Sequence, residues 1–123
     1  MVTPMPPDEL ARYRASARQR EQKRQQQQKL RQEAGWRVAR EAAQALKQDF
    51  GANRVWLFGS LLEVRHIHSQ SDVDLAVEGL EDSLYLQAVA RLLDLSDFSV
   101  DLVQLEYARP RLRQAVEAHG VEL

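Results

Sequence analysis

The sequence predicts an α/β (α+β) domain, a small mixed β-sheet flanked by helices, preceded by a long helical arm. Three observations carry this expectation. Apolar residues recur at helical spacing over 30–50, three short segments have the length of strands, and further helical segments are interleaved with those strands. At 123 residues the length is that of one domain.

The arm comes first in the chain. Residues 18–29, "RQREQKRQQQQK", contain no apolar side chain and so contribute nothing to a packed core. Gln, Arg and Lys are good helix formers, and no Gly or Pro interrupts the chain from Asp8 to Ala34. A helix capped by Asp8 after "PMPP", polar all round, is therefore expected. Such a helix is exposed, frayed, or packed on another chain. Residues 1–33 carry eight Lys/Arg against four acids, a charge of +4, while the remaining 90 carry nine bases and fourteen acids, −5. A basic tail on an acidic body fits contact with RNA or an acidic partner, and equally a solvated extension. Apart from Tyr13 no aromatic residue interleaves with the bases, which disfavours nucleic acid.

Near residue 30 the pattern changes. Leu30, Ala34, Val38, Ala42, Leu46 and Phe50 form one apolar helix face, and Gly51 is a suitable C-cap. The division is thus an arm at 1–33 and a globular domain at 34–123. In that domain "RVWLFG" (54–59) has strand length, and "DVDLAVEG" (72–79) alternates, with Val73, Leu75 and Val77 opposite Asp72, Asp74 and Ala76. A helix is expected over 83–95 with Ser83 as N-cap, and a third strand over 98–105. The last helix runs from Arg109 to His119, with Pro110 in its first turn and Gly120 at its end. The segment "SLLEV" after Gly59 reads as the start of another helix.

Composition narrows the function classes. Without cysteine there is neither a disulfide nor a thiolate metal site. The start lacks a secretory pattern, and runs such as "VWLF" are too short to cross a bilayer, so a soluble cytoplasmic protein is expected.

The acids define the candidate site. Asp72 and Asp74 on one side of a strand place two carboxylates about 6–7 Å apart. Carboxylates that close repel unless a proton or cation lies between them. Asp101, in an otherwise apolar strand, is a third charge that needs a partner. Three carboxylates without His or Cys suit Mg²⁺ or Mn²⁺ better than zinc. Gly59-Ser60 ends the first strand, where a close backbone approach and a hydroxyl suit phosphate. His66 and His68 form an H-x-H pair without a third ligand and read as loop residues. Arg109, Arg111 and Arg113 read as a solvated basic face, Trp56 as core, and Trp36 and Tyr107 as core or interface.

"GS" at 59–60, eleven intervening residues, "DVD" at 72–74 and "VDLV" at 100–103 resemble the polymerase-β-type nucleotidyltransferases. The size resembles the minimal nucleotidyltransferases, antitoxin partners of HEPN-domain ribonucleases. The resemblance covers about 36–123 and implies the polymerase-β-like fold. It implies ATP as substrate and two Mg²⁺ held by Asp72, Asp74 and Asp101, with Asp101 also helping to deprotonate the attacking hydroxyl. Gly59 and Ser60 would hold the triphosphate. Where many members have Arg-Gly this chain has Val64-Arg65, and Arg65 would either prevent the turn that Gly allows or itself reach a phosphate. The implied function is AMP transfer to a protein hydroxyl, a tyrosine of a HEPN toxin. A silent antitoxin that acts by masking, an RNA-associated module using the arm, and self-association stay open beside it.

Overall fold

The computed structural model describes residues 4–123; the first three residues of the predicted arm lie outside it. One helix, α1, runs without a break from Pro7 to Phe50. Its 44 residues extend about 66 Å at the usual rise per residue. It begins at Pro7 behind Pro6, with Asp8 and Glu9 inside its first turn, where their charge complements the helix dipole. Asp8 is therefore not the cap. At the other end Gly51 adopts φ 74°, and its N–H bonds the carbonyl of Leu46.

α1 is buried only in its C-terminal part, through Gly35, Val38, Ala39, Ala42, Ala43 and Leu46. Leu30, expected on that face, is 65% exposed. The packed stripe begins instead at Gly35, where a Cβ would lie 2.7 Å from Leu61 Cδ1, so the missing side chain lets helix and loop touch. Trp36 beside it is partly buried, with its indole N–H on the Leu61 carbonyl at 3.2 Å.

Strands β1 (Arg54–Phe58), β2 (Val73–Glu78), β3 (Val100–Gln104) and β4 (Val121–Glu122) form one sheet in the order β3-β2-β1-β4. β1 pairs antiparallel with β2 and β4, whereas β2 and β3 are parallel. A parallel pair needs a crossover, supplied here by α2 (Tyr85–Leu93). α2 follows a 3₁₀ turn at Asp82–Leu84, so Ser83 lies inside that turn and makes no cap bond. α3 (Pro110–His119) starts and stops as the sequence predicts. The helix expected after Gly59 is instead two 3₁₀ turns, Ser60–Leu62 and Val64–His66.

The period-2 alternation sorts the strands between two cores. Val55, Leu57, Val73, Leu75, Val77 and Leu102 pack against α1 and α2. Trp56 and Ala76 point the other way, against Leu105 and Val116 of the α3 side. Among the described residues no helix is long and apolar enough to cross a membrane, because the long one is polar.

Candidate nucleotide and metal site

The register of the parallel pair sets Asp74 directly beside Asp101. Neighbouring strands lie about 4.8 Å apart, and the two residues share one face, so their carboxylates belong to one patch. Asp72 stands one step before β2 with the same parity. This face is the one α3 covers, but α3 packs over Trp56 and Ala76. The other end of the strands remains open, leaving Asp72 and Asp101 exposed and Asp74 half-buried.

Gly59 closes the patch from the side of β1. Phe58 is the register partner of Asp74, so the next residue turns past its carboxylate. Gly59 has φ 83° and ψ −154°, a conformation open essentially to glycine. A Cβ there would collide with Asp74 Oδ2 and stand 3.1 Å from its Cγ. Backbone and carboxylate thus touch at a point where any side chain would intervene. Ser60 follows at once, half-buried at the head of the first 3₁₀ turn.

The electrostatics agree with the geometry. Burial first, then the charge of Asp101, then that of Asp72, push the Asp74 carboxyl up from 3.8 to about 6. None of the ion pairs among the described residues, Arg24–Glu21, Arg54–Glu122, Arg65–Glu63 and Arg91–Asp49, neutralises these acids. A half-buried carboxylate flanked by two more, without a basic partner, is the donor set a hard cation fits. Among the described residues no three acidic or histidine side chains are drawn together as a ready-made cage, so the expected convergence is partial.

The other candidates fall elsewhere. Arg65 is exposed and bonded to Glu63 at 3.2 Å, in a recess of about 500 Å³ shared with Arg24, Gln28 and Lys29 of α1. His66 and His68 are exposed. Arg109, Arg111 and Arg113 are exposed, as expected of a solvated face, and Arg113 also donates to the carbonyls of Leu105 and Glu106 at 2.9 and 3.0 Å. Tyr107 is 68% exposed and bonds Asp82.

Sequence reasoning missed one set of residues. Gln28, Arg31 and Gln32, inside the segment assigned to the arm, bond the carbonyls of Ile67, Ser71 and Leu61. Those carbonyls belong to the segment joining Gly59-Ser60 to Asp72. The available signal was their i, i+3, i+4 spacing just before the apolar stripe.

The family model for polymerase beta nucleotidyltransferases matches residues 40–123. The chain belongs to this family. All four strands and every acid of the patch lie within the match. No curated protein sequence matches the chain. Among solved structures, it is similar to a crystal structure of a toxin–antitoxin with AMP-PNP at 29% identity and TM-score 0.56, over 67% of this chain and 69% of that one. A toxin–antitoxin MntA-HepT structure is similar at 25% identity and TM-score 0.53, over 69% and 68%. A mutant form of that complex gives 28% and 0.52, over 63% and 65%. The nucleotidyltransferase chain thus spans about two thirds of the length of the chains it matches.

Proposed function

We propose that the protein is a Mg²⁺-dependent nucleotidyltransferase that moves AMP from ATP to a protein hydroxyl, a tyrosine of a HEPN-type toxin, and thereby acts as antitoxin in the cytoplasm. The observation that carries this reading is Asp74 in register with Asp101, against the backbone of Gly59. Its similarity to toxin–antitoxin crystal structures, one with an ATP analogue, supports the partner and the nucleotide.

Asp72, Asp74 and Asp101 would hold two Mg²⁺, which when bound supply charge compensation for the phosphates. The Gly59 backbone and the Ser60 hydroxyl receive the triphosphate. Arg65 lies in a recess lined by α1 residues rather than by the three aspartates. It is held only by an exposed pair with Glu63, worth little energetically, so it would meet a phosphate oxygen only after leaving that recess. The acceptor hydroxyl oxygen attacks the α-phosphorus as the bond to the β-phosphate oxygen breaks. Pyrophosphate leaves, and the hydroxyl proton passes to Asp101.

The direct test is thermal. ATP with Mg²⁺ should stabilise the protein by about 2.7 kcal/mol at roughly a hundred times Kd, whereas ATP with EDTA should not. Asp101→Asn should retain much of that shift through Asp72 and Asp74. Equal melting temperatures with and without chelator would remove the nucleotide site.

A further inference from the structure

We infer that Arg31 of α1 is a positioning residue that ties together the two chain segments entering β2 and β3, and so fixes Asp72 and Asp74 relative to Asp101. The functional half of this inference rests on the nucleotidyltransfer reading; the structural half does not.

Arg31 reaches both segments at once. Its Nη2 donates to the Ser71 carbonyl at 3.1 Å, the peptide that leads into Asp72. Its guanidinium lies 4.2 Å from the centre of the Phe98 ring, three residues before Asp101. A charge-assisted hydrogen bond and a cation–π contact from one side chain therefore bridge two separate strand entries. Next to this bridge, Val73 N–H bonds the Ser99 carbonyl at 2.9 Å, joining the same two segments directly.

The anchor on the Ser71 side is buried and doubly hydrogen-bonded. Ser71 is a buried polar residue, 2% exposed. Its N–H bonds the His68 carbonyl at 3.0 Å, and its Oγ accepts from the His68 N–H at 2.9 Å. Movement at Ser71 would break both bonds of this turn. About one turn before Arg31 and at the position directly after it, Gln28 and Gln32 hold the Ile67 and Leu61 carbonyls at 2.9 Å each. The helix thus grips its loop at three points, and only Arg31 also grips the approach to β3.

Arg31 Nε is buried without a hydrogen-bond partner, an unfavourable state for a charged group. The bond to Ser71 and the stacking on Phe98 hold it in place. This matters for the acids because a strand slip of one residue would turn Asp74 or Asp101 to the opposite face of the sheet. Smaller shifts change the separation of their carboxylates.

The test compares the full-length wild type with Arg31→Met, Arg31→Lys and Phe98→Leu by residue-resolved amide exchange and by AMP transfer. The first variant should speed exchange about tenfold or more at residues 72–74 and 99–101, while Val55–Leu57 of β1 stays protected. It should lower kcat about 10–100-fold with a smaller change in the KM for ATP. Arg31→Lys, which keeps a charge and donors, should recover part of both losses. Phe98→Leu leaves the Ser71 bond intact and should loosen 99–101 more than 72–74, and it serves if Arg31→Met does not fold. Faster exchange spread evenly over the whole sheet would show a general stability effect and overturn the proposal, as would an unchanged kcat in an active wild type. If the wild type transfers no AMP, the proposed reaction fails by itself. The local exchange pattern then still decides whether Arg31 is the tie.

Discussion

Asp74 is the residue in which fold and proposed chemistry conflict most openly. Its carboxyl is raised from 3.8 to about 6 by burial, Asp101 and Asp72. The folded protein therefore keeps a proton that the unfolded chain has already lost. This group favours the fold most below about pH 3.8, and that contribution is lost as pH rises through about 6. At neutral pH the ionised group opposes folding. Asp74→Asn should then stabilise the protein at pH 7 by about 1–2 kcal/mol, allowing for the partial exposure of the site. The gain should disappear near the unfolded carboxyl value. Denaturant midpoints of both proteins across this range measure it, and a destabilised variant at pH 7 would contradict the like-charge account. Stability given up at such a position is what a cation site asks of a protein. The three acids were legible from their period-2 placement and from the cost of a charge in an apolar strand. The contact between Gly59 and Asp74 was not, because it depends on the pairing of β1 with β2 across some fifteen intervening residues.

At the scale of elements, local signals were reliable wherever they were strong. Gly51 ends α1, Pro110 starts α3, and the alternation of 72–79 becomes β2. The exceptions have physical causes. β4 is two residues long and exists through its pairing with Trp56 and Leu57, which no local pattern reveals. The turns after Gly59 have apolar residues at helix-like spacing, yet they are two separate 3₁₀ turns interrupted by the extended Glu63, in a segment whose Leu61 and Ile67 carbonyls are bonded by α1 side chains. Composition divided α1 into arm and body, although the helix itself continues through both. Residues 7–27 are exposed apart from the half-buried Leu10 and Ala17, whereas side chains from Gln28 onward bond the domain. We propose that the separable arm is the part before Gln28. Deleting residues 1–20 should leave the melting temperature nearly unchanged, whereas deletion through Gln32 should lower it by several degrees, since each lost buried bond costs about 1 kcal/mol. Limited proteolysis should cut first between Arg12 and Arg24. A large loss of stability from the shorter deletion would mean that the exposed half of the helix is integral to the fold.

The whole molecule pairs a basic helix with an acidic nucleotidyltransferase domain, and the proposed reaction needs a second protein to supply the hydroxyl. Masking and AMP transfer predict the same toxin neutralisation, so rescue of growth alone does not separate them. The mass of the partner does. After incubation with this protein and ATP with Mg²⁺, the partner toxin should gain whole AMP units. The adduct should be absent with EDTA and almost absent with Asp101→Asn, even where that variant still binds nucleotide. A toxin fully neutralised at its unmodified mass, equally by wild type and Asp101→Asn, would contradict the transferase account.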